Sequence, residues 1–234
     1  MDERHLLDEQ IAYYRARANE YDEWFLRTGR YDRGPKFRQT WLREAAEIEG
    51  VLRSTVHDSD VLEFACGTGL WTRHLAENNR GVVAVDASPE VIAINRERVG
   101  SAKVEYRVAE IFSWVPTPTF DVVFFSFWLS HVPPARFDEF WSFVQAALKP
   151  GGRAFFIDSL MEQTSSARDH APLDESGMSQ RKLNDGREFN IVKIFYQPSA
   201  LEERLTRMGW TGWVRSTRTF FLYGSMTRPI ELPA

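Results

Sequence analysis

Hydrophobic residues from Asp60 onward follow two alternating patterns. Short, nearly continuous apolar runs are followed by segments in which apolar residues recur every three or four positions. Parallel strands joined by crossover helices produce this alternation, and the continuous runs are typical of strands buried on both faces. The pattern therefore predicts a doubly wound α/β sheet. Its predicted strands are residues 61–65, 82–85, 104–108, 122–127 and 154–157.

Cap and turn residues mark the ends of the helices in this region. Ser88 offers a side-chain cap, Pro89 suits the first helical position, and Glu90 adds an acid to the first turn, so a helix is predicted to begin there. Residues 149–152, Lys-Pro-Gly-Gly, end a helix predicted over 135–148 and turn the chain into the next strand.

The two ends of the chain have other patterns. Residues 2–27 interleave aromatic and charged residues at helical spacing, which predicts an amphipathic helix or a pair of helices, and a second helix is predicted over 36–53. Near the other end, Asn184-Asp185-Gly186 predicts a hairpin before the apolar run 189–196. A helix over 198–208 and a final strand over 219–224 follow, so the parallel sheet is expected to finish with an antiparallel end.

Length and charge narrow the function classes. With 234 residues, 43% of them hydrophobic, the chain suits a single globular domain, and a net charge of -4 offers no basic surface to nucleic acid or to an anionic membrane. The N-terminus is charged and no stretch reaches the about 20 apolar residues that span a bilayer, so a cytoplasmic protein is expected. Cys66 is the single cysteine, and no Cys/His cluster has metal-ligand spacing, so no metal is expected.

A glycine-bearing loop follows the first predicted strand. Open α/β sheets bind ligands at the carboxyl ends of their strands, so Gly67-Thr68-Gly69 predicts a cofactor there. A dinucleotide site requires a third glycine at the position of Thr72. Glu63, four residues before the first glycine, would repel a pyrophosphate but suits a ligand with an ammonium group. The loop therefore favours S-adenosylmethionine (SAM) over a nicotinamide cofactor.

These residues resemble the first motif of the class I SAM-dependent methyltransferases, an acid followed four residues later by Gly-x-Gly. Asp86 is similar to the family's acid that binds both ribose hydroxyls, and Glu110 is similar to the acid at the adenine amine, although the family usually has Asp there. Residues 120–123 and 148–152 are similar to its fourth-strand and fifth-strand signatures. The resemblance is specific over about residues 60–158 and weak outside them.

The resemblance implies a Rossmann-like sheet of seven strands, mostly parallel with an antiparallel C-terminal strand, under a helical N-terminal cap. One domain is expected, with the cap over 1–56, a cofactor-binding core over 57–158 and a variable segment over 159–234. The implied reaction transfers the methyl group of SAM to oxygen or nitrogen of a small molecule by in-line displacement, with carbon as the alternative acceptor atom and S-adenosylhomocysteine (SAH) as product. An aromatic or otherwise apolar acceptor and a monomer or homodimer are expected, without nucleic acid or membrane.

Cofactor contacts are predicted from the loop, the strand ends and the cap, where a tyrosine of the family closes over the methionine end. Arg15 and Arg17 of the cap are interpreted as solvated, and so is His170 in the irregular stretch 159–179. The predicted cofactor-binding residues are Tyr13, Tyr14, Glu63, Ala65, Gly67, Gly69, Thr72, Asp86, Ala87, Glu110, Ile111 and Phe127.

The acceptor is expected beside the end of the fourth strand. Phe127 and Trp128 are candidates to face the sulfonium or to stack on an acceptor ring, with packing under the next helix as the alternative. His131 is a candidate general base because histidine titrates near neutrality, although histidines near this place in the family need not act as bases. Asp158 is a second catalytic candidate, with a structural cap as its alternative. Trp24, Trp128 and His131 are predicted to bind the substrate.

Four other functions are weighed against this hypothesis. The missing third glycine and Glu63 disfavour a nicotinamide dehydrogenase. A nucleic-acid methyltransferase would show a basic face and, for base amines, an Asn/Asp-Pro-Pro-Tyr/Phe motif after the fourth strand, where this chain has Phe127-Trp128. A protein methyltransferase and a non-catalytic SAM-binding module stay open as alternatives.

Overall fold

The computed structural model describes residues 3–114, 117–173 and 175–228. Its strands are β1 (Asp60–Phe64), β2 (Gly81–Asp86), β3 (Val104–Val108), β4 (Phe120–Ser126), β5 (Leu148–Ser159), β6 (Met178–Lys182), β7 (Glu188–Val192), β8 (Thr211–Ser216) and β9 (Phe221–Thr227). Its α-helices are α1 (Glu3–Ala16), α2 (Tyr21–Leu26), α3 (Pro35–Thr55), α4 (Thr72–Asn78), α5 (Pro89–Val99), α6 (Phe137–Ala147) and α7 (Pro198–Arg207).

Seven of these strands form one sheet in the order β3-β2-β1-β4-β5-β9-β8. The pairs from β3 to β5 are parallel, and β9 runs antiparallel to both of its neighbours. The crossover helices α4, α5 and α6 connect the parallel strands, and Ser88 caps α5 by accepting a hydrogen bond from the Val91 amide at 3.3 Å. The predicted doubly wound, mostly parallel α/β fold is confirmed.

Aromatic side chains of β4 and β5 pack on both faces of the sheet. Phe124 stacks on Phe155 with an interplanar angle of 16°, and Phe125 stacks on Phe156 with an angle of 8°. Successive strand residues point to opposite faces, so each stacked pair belongs to a different hydrophobic cluster. All four rings are completely buried. Because these strands are covered on both faces, ligands reach them at the carboxyl ends.

Two features near the C-terminus differ from the sequence expectation. The predicted hairpin forms, but β6 and β7 make a separate two-stranded sheet in which β7 packs on α1. Strand β8 was not predicted, because most of its residues are exposed at the sheet edge and it therefore lacks an apolar run. The hairpin thus covers the N-terminal helix instead of extending the main sheet.

Within the described ranges, no helix has both the length and the apolar character needed to cross a membrane. The His, Cys, Asp and Glu side chains of the same ranges form no group of three that could hold a metal ion.

Candidate active site

The loop between β1 and α4 depends on backbone shapes and contacts that glycine permits. Gly67 has a φ of +52°, in the left-handed region, and its amide donates to Asp86 Oδ2 at 3.0 Å. A Cβ on Gly69 would lie 2.6 Å from Asn95 Oδ1 of α5. The Asn95 amide in turn donates to Thr72 Oγ1 at 2.9 Å and to the Gly67 carbonyl at 3.1 Å. Asn95, which sequence reasoning missed, therefore holds the loop against α5.

A cavity of about 820 Å³, here called the outer cavity, lies at the carboxyl ends of β1, β2 and β4. Helix α1 contributes Leu7, Gln10 and Ile11 to its wall, none of which the sequence pattern indicated. The loops after the strands contribute most of the predicted cofactor residues. Those found in the wall are Tyr14, Ala65, Gly67, Asp86, Ala87, Glu110, Ile111 and Phe127.

The two acids at the ends of β2 and β3 are held by backbone amides. Asp86 accepts hydrogen bonds from the Gly67 amide at 3.0 Å and the Ser88 amide at 2.9 Å, while burial raises its pKa to about 6. Glu110 accepts from the Phe112 amide at 3.2 Å. Both carboxylates are thus fixed at the cavity wall, where a ligand's hydroxyl or amine hydrogens can reach them.

Glu63 lies under the loop and not in the wall of the outer cavity. Its side chain is 1% exposed, and neither carboxylate oxygen has a hydrogen-bond partner among the described residues. Burial raises its pKa to about 8, the nearby Thr72 hydroxyl opposes that rise, and the charge of Asp86 adds to it. A buried carboxyl without a partner is costly, so this position suits a ligand that brings a positive charge.

Gly69 and Thr72 are likewise absent from the wall of the outer cavity. Gly69 permits the close approach of Asn95, and Thr72 is fully buried. These two residues shape the loop from beneath. Their predicted contacts with a ligand stay predictions.

A second cavity of about 560 Å³, the inner cavity, adjoins the outer one. Tyr14, Tyr21 and Phe127 line both cavities and form a shared wall. The inner cavity is also lined by Tyr13, Trp24 and His131 of the predicted residues, together with residues from α2, the segment after β5 and the β6–β7 hairpin. Trp128, predicted to contact substrate, lines the outer cavity instead.

His131 is buried, and both of its ring nitrogens are engaged. Nδ1 donates to the Val192 carbonyl at 2.6 Å, which leaves Nε2 to accept from the Tyr14 hydroxyl at 2.7 Å. Burial lowers its pKa well below the usual value, and the charge of Lys193 lowers it further. His131 is therefore a neutral imidazole that fixes the orientation of the Tyr14 ring.

Asp158 is the penultimate residue of β5 and does not line either cavity. Its carboxylate accepts from the amide of Ser130 at 2.8 Å and from that of Ser159 at 2.7 Å, and it lies 3.6 Å from Lys193 Nζ. Lys193 also donates to Ser130 Oγ at 2.8 Å. These contacts match the structural cap that sequence reasoning gave as the alternative to catalysis.

Sequence reasoning missed the cations of the inner cavity. Arg17, Arg181 and Lys193 all line it, and they come from the residue after α1, from β6 and from the residue after β7. Arg17, interpreted from the sequence as solvated, is 8% exposed. His170, interpreted in the same way, also lines this cavity and lies 3.1 Å from Arg181 Nη1. No local pattern could have placed these distant side chains together.

A methyltransferase family model and solved structures with bound SAH or SAM match this chain. A family model described as "Methyltransferase domain" matches residues 61–152, from β1 to the start of β5. A solved DhpI–SAH complex aligns with a TM-score of 0.80 at 38% identity, covering 99% of this chain and 100% of DhpI. A DhpI–SAM–HEP complex gives a TM-score of 0.77 at 37% identity, with coverage of 98% and 100%.

A curated relative is similar over a shorter region. The ubiquinone biosynthesis O-methyltransferase of Xanthomonas oryzae pv. oryzae is 32% identical over 114 residues, which are 46% of this chain and 45% of that protein. The chain spans less than half the length of the curated relatives it matches. The match to DhpI, in contrast, extends over both whole chains. With the matching family model, it shows that the chain belongs to the class I SAM-dependent methyltransferases.

Proposed function

We propose that this protein transfers the methyl group of SAM to a small-molecule acceptor, with SAM in the outer cavity and the acceptor in the inner one. One observation carries the assignment: the two cavities adjoin and share the wall formed by Tyr14, Tyr21 and Phe127. Because both cavities extend to the same three side chains, a donor in one and an acceptor in the other would meet beside them. The complexes of DhpI with SAH and SAM support the choice of donor.

Two residues of the outer cavity and one residue beneath the loop fit SAM. Asp86 presents a fixed carboxylate to the ribose hydroxyls, and Glu110 presents one to the adenine amine. The unpartnered carboxyl of Glu63 suits the ammonium group of the methionine end, directly or through water. When bound, SAM supplies a methyl group activated by a positively charged sulfur.

The chain's contribution to transfer is mainly positioning. Holding two reactants in line replaces a collision in solution and contributes several kcal/mol, on the order of 7 to 11 in favourable cases. Tyr21 and Phe127 present aromatic rings at the shared wall, where ring faces attract a cationic sulfur. We assign His131 a positioning role through Tyr14, because its Nε2 is engaged by the Tyr14 hydroxyl and burial lowers its pKa well below the usual value, which makes it a weak base.

Two measurements test the function. SAM and SAH should each raise the melting temperature of the purified protein, and mass spectrometry should detect an acceptor that gains one methyl group when metabolites are screened. Thermal stabilisation without turnover of any acceptor would favour the non-catalytic SAM-binding module, and methylation of proteins alone would favour a protein methyltransferase. An unchanged melting temperature would contradict the assignment of SAM to the outer cavity.

Other properties of the protein stay predictions. The net charge of -4 supports an acceptor other than nucleic acid. A monomer or homodimer is expected, which sedimentation would distinguish, and the protein is expected in the cytoplasm.

Replacing Glu63 with Gln is expected to weaken SAH binding roughly 10- to 100-fold at pH 8.5, because a charged hydrogen-bond partner of the ammonium group is lost. The free wild-type carboxyl has a pKa of about 8 and must lose its proton to pair with the ligand. Wild-type affinity should therefore rise from pH 6.5 to 8.5, whereas the variant should show no such rise. Calorimetric titration with SAH over this pH range measures both effects.

Stability gives a second readout for the same variant. The folded-state pKa of Glu63 lies above its unfolded value, so its contribution to stability is complete below about pH 4.5 and is lost as the pH rises through 8. Glu63→Gln should remove this loss from the SAM-free protein. Glu77→Gln, at an exposed acid of α4, serves as the control and should change neither property. Wild-type SAH affinity and pH dependence in Glu63→Gln would remove Glu63 from the ammonium site.

A further inference from the structure

The inner cavity gathers positive charge from three separate parts of the fold. Arg17 follows α1, Arg181 lies in β6 and Lys193 follows β7, and all three side chains line the cavity. Arg17 and Lys193 are each 8% exposed. Among the described residues that line this cavity, none is an acid. The wall therefore presents several cations to whatever occupies the cavity.

Two of these cations have no carboxylate partner in the described parts of the chain. Arg17 donates to the Tyr31 hydroxyl at 3.3 Å and lies over the rings of Tyr13, Tyr21 and Tyr31. Arg181 donates to Ser166 Oγ at 3.0 Å and contacts a nitrogen of His170. Burial of a charge without a counterion costs several kcal/mol or more. A negatively charged ligand would offset that cost for both guanidinium groups.

Lys193 differs from the two arginines because Asp158 lies 3.6 Å from its ammonium group. The charge of Asp158 balances that of Lys193, so the two arginines leave the inner cavity with an excess of positive charge. The titration of neighbouring groups agrees with this excess. Burial lowers the pKa of His170 to about 4, and the charge of Arg181 contributes to that shift. Burial also lowers the pKa of Lys193 to about 8, with a contribution from Arg181 and Arg17.

The hydroxyl group of Tyr13 adds a neutral hydrogen-bond donor to the inner cavity. Tyr13 lines the cavity with a fully buried ring, and its hydroxyl has no hydrogen-bond partner among the described residues. Guanidinium groups are planar and present several parallel N–H bonds, which match the oxygens of a phosphoryl, sulfonyl or carboxyl group. A hydroxyl donor beside two such groups is the chemistry that an oxyanion requires.

We propose that the methyl acceptor is a small organic acid whose oxyanion group is bound between Arg17 and Arg181, with Tyr13 as an additional donor. This inference rests on the proposed function and names its substrate class. It replaces the apolar acceptor expected from the aromatic content of the cap: the rings of Tyr13, Tyr21 and Tyr31 contact Arg17 instead of forming a purely apolar surface. Arg17 and Arg181 are thereby specificity-determining residues.

Sulfate, methylphosphonate and acetate are suitable probes, because they share the oxyanion chemistry and differ in shape and charge. Each is titrated into the SAH-saturated protein at constant ionic strength, with dimethyl sulfone as the uncharged counterpart of sulfate. At least one anion should bind saturably, and dimethyl sulfone should not. The ranking of the three anions distinguishes a tetrahedral head group from a carboxylate. Absence of saturable binding for all three anions would overturn the proposal.

The variants Arg181→Met and Arg181→Lys locate the binding. Arg181→Met should weaken binding of the preferred anion about tenfold or more, since a buried charged hydrogen bond is lost, and Arg181→Lys should restore part of it. Arg187→Met provides the matched control, because Arg187 lies near Arg181 in the hairpin but is exposed and paired with Asp185. Arg17→Met is expected to behave like Arg181→Met.

SAH affinity separates this inference from the proposed function. Arg181→Met should bind SAH within about twofold of wild type, since Arg181 does not line the outer cavity. Wild-type anion affinity in both Arg181→Met and Arg17→Met would overturn the inference and leave the SAM site intact. If SAH itself fails to bind the wild-type protein, the proposed function fails instead.

Discussion

Replacing Asp86 with Ala is expected to weaken SAH binding roughly 100-fold or more. The carboxylate would accept two ribose hydroxyl hydrogens, and hydrogen bonds to charged groups contribute about 1.5 to 3 kcal/mol each. It also accepts from the Gly67 amide, so the variant loses a contact that shapes the loop. Because burial raises the pKa of Asp86 to about 6, wild-type affinity should in addition fall as the pH drops below 6. Calorimetric titration with SAH measures both.

Two further variants sharpen this test. Asp86→Asn keeps a carbonyl oxygen for one of the amides of Gly67 and Ser88, so it should preserve the loop better and still lose about tenfold in SAH affinity. Glu105→Ala changes an exposed acid of the neighbouring strand β3 and should leave SAH affinity unchanged. If Asp86→Ala bound SAH as tightly as wild type, the ribose assignment would be wrong.

Removal of the Asp158 carboxylate is expected to lower the free energy of unfolding by about 3 to 5 kcal/mol. Asp158→Ala leaves the amides of Ser130 and Ser159 without their acceptor and leaves Lys193 without a counterion. Lys193 would then stand beside Arg17 and Arg181 with no opposing charge from Asp158. Urea unfolding at pH 7 measures the loss.

The surface pair of Asp138 and Arg204 supplies the control. Asp138 contacts Arg204 at 2.9 Å, but its side chain is 73% exposed, so Asp138→Ala should cost about 0.5 kcal/mol or less. The double variant Asp158→Ala/Lys193→Met should be less destabilised than the two single changes together, because it leaves no unpaired lysine. A folded Asp158→Asn protein with wild-type stability and no turnover would instead assign Asp158 a catalytic role.

The part of the site that could be predicted from the sequence is the part built from local segments. Glu63, Gly67 and Asp86 each lie at or just after a strand end, and the parallel sheet brings strand ends together at one edge. The predicted family and fold are confirmed for this reason. Asp86 then lies in the cavity wall, whereas Glu63 lies beneath the loop, and the ligand contacts of both stay predictions.

The inner cavity could not be predicted in the same way. Arg15 and Arg17 have the same local context in the sequence, yet Arg15 is exposed and pairs with Glu90, whereas Arg17 is buried and lines the inner cavity. Residues two apart near a helix end point in different directions, and only tertiary packing decides which one is covered. Arg181 and Lys193 reach the same cavity because β7 packs on α1, a contact between segments that are far apart in the chain.

The wall shared by the two cavities has a consequence for the order of ligand binding. Tyr14 faces both cavities, and its hydroxyl is held by His131, whose carbonyl accepts a hydrogen bond from Gln10 of α1. Each ligand would contact this preoriented ring and so complete part of the surface that binds the other. Heterotropic cooperativity is therefore expected: SAH should increase the affinity for the acceptor anion, and the anion should increase the affinity for SAH by the same factor.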